Sequence, residues 1–513
     1  MTLVGALIKK GIEIGAPWRE KEAPAKEMQR EQLRFLLKSA KDTAFGKYYH
    51  FSELMEAEDP VKAYQQRLPI FDYDKMYERW WRQSLSHPDI CWPGKPKYIA
   101  KSSGTTGSEP KRIPVTDAML DSIRQVSFSQ FGSIRFHDMP EDFFTRELLA
   151  LSSATELEKV KGRVEGEISA ITTLNAPDWF DNFYRPGHEI ASIQDWDKRL
   201  EAIAKAAPDW DIGVISGIPS WLLLMLKKII EVHKLDHIHE IWPGLGVFTP
   251  GGVAFEPYRE KFDEIFGKEV IIKDTYLASE GFLAYNRRPG TMSMRLALHH
   301  GLFFEFIPFD EEGFDETGNL KENPKVLSIG EVEEEREYAL LVSTPAGTYR
   351  YMIGDTIRFT NLAESEIKIT GRTKHFLNVV GSQLTEAKMD QAIDHLNEEH
   401  HLAVEEFTLA AVEQEDGDFY HEWILGRENG QSVDDSQVAE QIDQYLKENH
   451  KNYEVARRKA LKGVKVHQTA AETFYDFQSK QRKAGGQIKT RKLRSAEDFQ
   501  EFLKFATQRE SED

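Results

Sequence analysis

Six consecutive small residues, Ser102-Ser103-Gly104-Thr105-Thr106-Gly107, followed by Ser108, Pro110, Lys111 and Pro114, have the make-up of a cradle for polyphosphate. Glycines and hydroxylated residues after a strand let backbone N–H groups reach phosphate oxygens with no side chain in the way. The spacing differs from the nucleoside-triphosphatase P-loop, which needs four residues between its glycines and a lysine directly after the second. Only Thr105 and Thr106 separate Gly104 from Gly107. A flexible surface turn is the plain alternative. Three further segments shift the balance: Thr249-Pro250-Gly251-Gly252, Tyr276-Leu277-Ala278-Ser279-Glu280-Gly281, and Tyr349-Arg350-Tyr351-Met352-Ile353-Gly354-Asp355. Each lies where an α/β sheet exposes its ligand-binding edge. Taken singly, the bland readings are Tyr276 as a core aromatic, Asp355 as a turn residue and Glu280 as a helix N-terminal charge.

Other constellations carry less. His233 and His237 are four apart, yet no acid lies between them in a metalloprotease arrangement, and they read as solvent-facing. His395, His400 and His401 lie on or after an acidic helix without metal-ligand spacing. No Gly-x-Ser-x-Gly elbow exposes a serine. The single cysteine, Cys91, makes neither an internal disulfide nor a thiolate metal site, which reads as an intracellular, cytoplasmic chain. A net charge of −19 disfavours nucleic acid and anionic membranes as partners.

The elements that must position these residues follow from length and pattern. With 513 residues the chain exceeds one ordinary core, and about 100–200 residues per domain suggests several structural units. Hydrophobic residues make up 40%, a globular composition. The N-terminal segment MTLVGALIKKGIEIGAPW has an apolar pattern from Leu3 to Ile12 that reads as a docked amphipathic helix, and Tyr73 through Trp81 also reads as helical. From Lys97, short β-like runs alternate with helices: YIAKS, IGVISG from Ile212 before a helix near Ser220, LGVFTP from Leu245, and EVIIKDTY from Glu269. That alternation implies parallel strands with crossover helices. The run WLLLMLKKII from Trp221 is far short of the roughly 20 apolar residues that span a bilayer. Between about Leu302 and Thr370 the pattern becomes strands joined by short turns, an antiparallel sheet or small barrel. After Gly371, helices near Thr385–Glu399 and Val433–Glu448 and strands near Phe407, Trp423 and Val464 suggest a separate α+β unit.

Taken together and in order, the four glycine-bearing segments resemble the adenylate-forming superfamily, and most closely the auxin-responsive Gretchen Hagen family of acyl acid-amido synthetases. The resemblance extends to Gly485-Gly486-Gln487-Ile488-Lys489, and the chain is read as a bacterial member. It implies an α/β adenylate-forming fold, with a large N-terminal domain over residues 1–372 that includes a β-barrel-like subdomain and holds ATP and the acid. A smaller, mobile C-terminal α+β domain would span residues 373–513. By the resemblance, Ser102 through Gly107 hold the β- and γ-phosphates, Gly251 and Gly252 pass close to the adenine, and Tyr276 stacks on it. Ser279 and Glu280 help place Mg2+, a hard cation suited to carboxylate oxygen. Asp355 accepts hydrogen bonds from two ribose hydroxyls, a task for a paired-oxygen acceptor with no donor of its own.

Gly371-Arg372-Thr373-Lys374 and Gly381 resemble the superfamily hinge, and Arg372 is counted with the nucleotide contacts. His375 and Asn378 depart from the usual pattern, which leaves the pivot open. Lys489 takes the place of the catalytic lysine, neutralising charge as the carboxylate attacks the α-phosphate. Arg491-Lys492 replaces the usual Pro-Arg pair, so Lys492 stays an alternative, and a solvated basic face from Lys480 to Arg494 is the plain reading. The implied activity is ATP-dependent adenylation of a carboxylic acid and transfer of the acyl group to an amine, that of an amino acid. An acyl-CoA ligase and a nucleotide-binding regulator without turnover are the rivals.

Overall fold

The computed structural model describes residues 23–101, 111–151, 157–160, 162–193, 195–252, 255, 258–315, 319–373, 384, 386–400, 402–413, 419–427, 433–450, 453–454, 457, 461–480, 492–494 and 496–510. Ser102 through Gly107, the hinge residues after Thr373 and Lys489 lie outside them, as does the apolar N-terminal segment.

Short apolar runs buried on both faces build a parallel sheet. Its five strands run in the order Tyr184–Arg185, Glu147–Leu151, Ile212–Gly217, Val247–Pro250 and Ile271–Ile272. Every neighbouring pair in it is parallel. The crossover helix Pro219–His233 starts on a proline, which fits a first-turn position where no N–H is needed. Its Leu222, Leu223, Met225, Leu226 and Ile229 pack on the sheet in one core with Phe248 and Trp242. His233 ends this helix and its Nε2 lies 2.8 Å from the carbonyl of Ala204, whereas His237 caps the next 3-10 turn. These histidines therefore serve helix ends and are half-buried, where the sequence suggested solvent.

The stretch EVIIKDTY is not one strand of this sheet. Ile271–Ile272 closes the parallel sheet, and Thr275–Ala278 opens a second, seven-stranded one. That sheet is antiparallel throughout and runs in the order Thr275–Ala278, Gly281–Tyr285, Met294–Leu296, Glu366–Arg372, Thr348–Asn361, Glu337–Thr344 and Phe303–Pro308. The change of sheet falls at Lys273-Asp274, where Lys273 N still donates to Phe248 and Asn286 N already donates to Asp274.

The N-terminal helices, the four-stranded sheet around Tyr98–Lys101 and the seven-stranded sheet share the largest core. The helical reading of Tyr73 to Trp81 holds, with a π-helical turn over Tyr77–Trp81. Downstream, Val404–Glu413, Phe419–Arg427 and Leu461–Ala470 form a three-stranded sheet backed by the helices Glu386–His400 and Asp435–Asn449, with a core of its own. Two helices unmarked by the sequence reading, Ala471–Lys480 and Ala496–Glu510, bring Phe474, Phe477, Phe499 and Phe502 onto the opposite face. Among the described residues no helix is long and apolar enough to cross a membrane.

Candidate active site

Three strands and one turn of the antiparallel sheet bring the predicted residues together. The turn Ser279-Glu280 joins the strands Thr275–Ala278 and Gly281–Tyr285, so Tyr276 and Glu280 are presented at that end of the hairpin. Asp355, on Thr348–Asn361, is the register partner of Arg372 on Glu366–Arg372. The Tyr276 hydroxyl donates to Asp355 Oδ2 at 2.5 Å, and Arg372 Nε reaches Asp355 Oδ1 at 2.9 Å. Each carboxylate oxygen thus holds one partner, and an ionised carboxylate has lone pairs left for two more donors. Burial is the main reason the Tyr276 phenol sits well above its ordinary pKa, and the Asp355 charge adds to it. The hydroxyl therefore remains a donor. Burial also shows that Tyr276 is part of the main core, 6% exposed, as the bland reading had it.

Glu280 is 6% exposed. Desolvation raises its carboxyl to about 7; Lys111 pulls it down, Asp355 pushes it up, and Arg372 pulls it down less strongly. Lys111 ends the hydroxyl-rich segment, and its ammonium lies 5.6 Å over the Tyr73 ring. A buried acid near neutrality, facing two cations, is a site poised to ionise when a further positive charge arrives.

Glycines 251 and 252 stand where expected, directly after the strand Val247–Pro250 of the parallel sheet. The Thr275 hydroxyl donates to the carbonyl of Pro250 at 2.6 Å, which ties this loop to the strand that carries Tyr276. A Cβ on Gly251 would come within 2.9 Å of that same Thr275 oxygen, so the closeness itself demands glycine. The two sheets meet here. The sequence pattern placed Asp355 in an antiparallel section, as found, but read the Tyr276–Gly281 segment as following a strand of the alternating α/β part, whereas Tyr276 and Glu280 belong to the antiparallel sheet.

The segment Tyr349-Arg350-Tyr351 divides its labour. Tyr349 donates to the Cys91 carbonyl at 2.9 Å, and Arg350 is buried with Nε at 3.1 and 3.2 Å from the Glu305 oxygens. Both hold the strand against the N-terminal helices and are structural. Lys492 is half-buried, its Nζ 2.5 Å from Asp390 Oδ1 and 5.2 Å over the Phe407 ring. Arg494 is buried over Phe477 and Phe502, which corrects the reading of the run up to Arg494 as a solvated face.

Residues 19–207 match the GH3 family N-terminal domain, 295–372 its central domain and 386–498 its C-terminal domain, in that order and over well more than half of the chain. The chain belongs to the GH3 family. Among GH3 relatives, indole-3-acetic acid-amido synthetase GH3.2 of Arabidopsis thaliana is 24% identical over 39% of this chain and 39% of its own length. Jasmonoyl--L-amino acid synthetase JAR4 of Nicotiana attenuata is 22% identical over 66% of this chain and 69% of its own. The chain thus spans about two fifths of the first of these relatives. Those relatives are plant enzymes, so the expectation of a bacterial member finds no support among them. The solved AtGH3.15 acyl acid amido synthetase in complex with 2,4-DB superposes with a TM-score of 0.73 at 16% identity, covering 99% of this chain and 96% of that one. A 2-hydroxyisobutyryl-CoA ligase in the postadenylation state, with 2-HIB-AMP, gives 0.59 at 11% identity over 94% and 92%. The GH3 chain therefore has the adenylate-forming fold, a large α/β part followed by a smaller α+β part.

Proposed function

We propose that this GH3 protein is an ATP-dependent acyl acid-amido synthetase that adenylates a carboxylic acid and passes the acyl group to an amine, that of an amino acid. The observation that carries the proposal is the cluster of buried Tyr276 and Glu280 with half-buried Asp355 and Arg372, next to Gly251-Gly252, in a chain of this family. A division at residues 372 and 373 is supported by the separate cores on either side. A cytoplasmic location rests on the single cysteine.

In the first half-reaction a carboxylate oxygen bonds to the α-phosphorus of ATP while the bond to pyrophosphate breaks. In the second, the amine nitrogen bonds to the acyl carbon, the bond to AMP breaks, and the nitrogen loses a proton. Such chemistry requires positioning and charge neutralisation, and no covalent enzyme intermediate. Asp355 would accept the ribose hydroxyls on its remaining lone pairs, with Tyr276 and Arg372 holding its carboxylate plane. The buried Tyr276 ring favours this holding role over stacking on the adenine, which is left to pass along Gly251-Gly252. The buried Glu280, whose ionised form a divalent cation would favour, would with Ser279 hold Mg2+, whose charge would offset that of the phosphates. Ser102 through Gly107 are assigned the β- and γ-phosphates. Lys489 is preferred as the catalytic lysine because Lys492 already has an acidic partner and an aromatic seat.

The test is acid-dependent exchange of labelled pyrophosphate into ATP across a carboxylic acid library, followed by addition of amino acids or coenzyme A to the stimulated enzyme. At least one acid should stimulate exchange, amino acids should yield an amide, and Asp355→Ala should cut exchange at least about tenfold, given roughly 1.5–3 kcal/mol per hydrogen bond to a charged group. Thioester without amide would favour a CoA ligase. ATP binding with no exchange for any acid would favour the regulator.

A further inference from the structure

Tyr351 lies in the same strand as Asp355 and is fully buried, yet its hydroxyl has no hydrogen-bond partner among the described residues. Burying a phenol normally requires a partner for its O–H, and an orphan of this kind costs free energy in the free protein. Three other tyrosines nearby are paired, Tyr64 with Ser343 Oγ at 2.9 Å, Tyr349 with the Cys91 carbonyl at 2.9 Å, and Tyr73 accepting from the backbone N–H of Arg112 at 2.9 Å, whereas the buried Tyr49 hydroxyl, further from the candidate carboxylates, is unpaired as well.

The position of Tyr351 is set on both sides. The backbone of Phe71 brackets it, Phe71 N donating to Arg350 and Met352 N donating to Phe71, at 2.9 and 2.8 Å. The Tyr351 ring packs 5.2 Å from the Trp81 ring, which lies 6.2 Å from Tyr73, under Lys111. Tyr351 and Asp355 are four apart in one strand, with Gly354 at φ +99° and a register shift opposite Ala339 and Leu341 between them. Glu280 is the foremost charged influence on the phenol after burial itself, with Arg372 acting in the opposite sense. The orphan hydroxyl therefore lies within electrostatic reach of Glu280 and Arg372 of the candidate site, on the strand that also carries Asp355.

We propose that the Tyr351 hydroxyl is a ligand-binding donor, unpaired in the free protein and satisfied by a charged phosphate oxygen of the bound nucleotide or acyl-adenylate. This rests on the adenylation reading given above. A phenol held neutral by burial offers a donor to an anion without bringing a charge that must be removed when the ligand leaves. It differs in this from Lys111 and Arg372, whose charges already have acidic neighbours.

Tyr351→Phe removes one oxygen and keeps the ring against Trp81, and Tyr64→Phe serves as the comparison because its hydroxyl is paired inside the protein. Thermal melting without ligand and MgATP affinity by titration calorimetry are measured on both variants and the wild type. For Tyr351→Phe the melting temperature of the free protein should stay level or rise, while MgATP binds at least about tenfold more weakly, as for a lost bond to a charged acceptor. For Tyr64→Phe the free protein should melt lower with unchanged MgATP affinity. Equal MgATP affinity for Tyr351→Phe and wild type overturns the inference alone, as does a drop in melting temperature like that of Tyr64→Phe. Failure of the wild type to bind MgATP overturns the adenylation reading, and this inference with it.

Discussion

Glu280 is the residue on which the chemistry of the site turns, because its environment sets a balance between neutral and ionised forms close to physiological pH. Its carboxyl moves from an ordinary 4.5 to about 7, chiefly through burial. A raised carboxyl pKa favours the protonated form in the fold, so its contribution to stability is complete below 4.5 and is lost as pH rises through about 7. The shift corresponds to about 3 kcal/mol. Glu280→Gln keeps the shape of the neutral acid, so without nucleotide or metal the variant should melt above wild type at pH 8, with the difference fading toward pH 5. The same substitution should lower magnesium-dependent pyrophosphate exchange by roughly a hundredfold, the scale of losing one charge-stabilising group. Melting curves that stay parallel from pH 5 to 8 would show that burial does not perturb this carboxyl. The identity of Glu280 was readable from Ser279-Glu280-Gly281, but its burial was not. Burial is a property of the folded chain: beside Glu280, Met119 of the Asp117–Gly132 helix comes up against Gly281 from more than a hundred positions away.

At the scale of elements, one strand links the two sides of the molecule. Val404–Glu413 carries Glu405 and Glu406 beside a register shift between Val404 and Glu406. Glu405 pairs with Lys261 of the helix Arg259–Ile265, and Glu406 accepts from the Tyr258 and Tyr475 hydroxyls, each at 3.3 Å. The same strand binds the residues that follow Lys489, with Leu409 N donating to Lys492 at 2.8 Å and Arg494 N donating to Leu409 at 2.9 Å. One strand therefore connects the helix beyond Gly251-Gly252 to Lys492 and Arg494. Lys261→Glu and Glu405→Lys should each slow pyrophosphate exchange several-fold, and the charge-swapped double variant should recover most of it. A double variant no better than the product of the two singles would show that the pair does not govern this orientation. The elements themselves were largely visible in the sequence: Ile212–Gly217 and Pro219–His233 fall where the apolar runs placed them. The division of Ile271–Ile272 from Thr275–Ala278 was not, because both halves are β-like and only their partners decide the sheet.

For the whole molecule, the described residues up to 373 and those from 384 onward pack around separate apolar cores. Calorimetry should accordingly resolve two transitions. The downstream one should be the more acid-sensitive, because His421 is fully buried there with both ring nitrogens unpaired, its ring 5.6 Å from that of Tyr453. Tyr453, Arg457 and Lys447 surround the neighbouring Asp443. Burial lowers the imidazole from 6.5 to about 3, with Asp443 opposing and Arg457 assisting. A depressed histidine pKa means that the unfolded chain binds the extra proton, so stability present above 6.5 is lost as pH falls toward 3. Between pH 6.5 and 5, above the titration of ordinary carboxylates, the loss amounts to about 2 kcal/mol. His421→Leu should reduce the pH dependence of that transition over this interval by about half, because His450, lowered by burial to about 4 in the same unit, carries a similar share, and an unchanged slope would assign the acid sensitivity elsewhere.

The sequence by itself determined the kinds of chemistry on offer and the order of the elements. Glycine-bearing segments, carboxylates and apolar runs are local properties, and spacing along the chain is enough to recognise them. Only the tertiary structure decided which of these residues meet. Asp355 is held between Tyr276, 79 positions away, and Arg372 across a strand pair. The same spelling gave Tyr349 and Arg350 to the scaffold and left Tyr351 with an unsatisfied hydroxyl. The physical reason is that pairing and burial are set by sheet register between distant strands, and a local pattern contains neither the partner nor the dielectric that the partner brings.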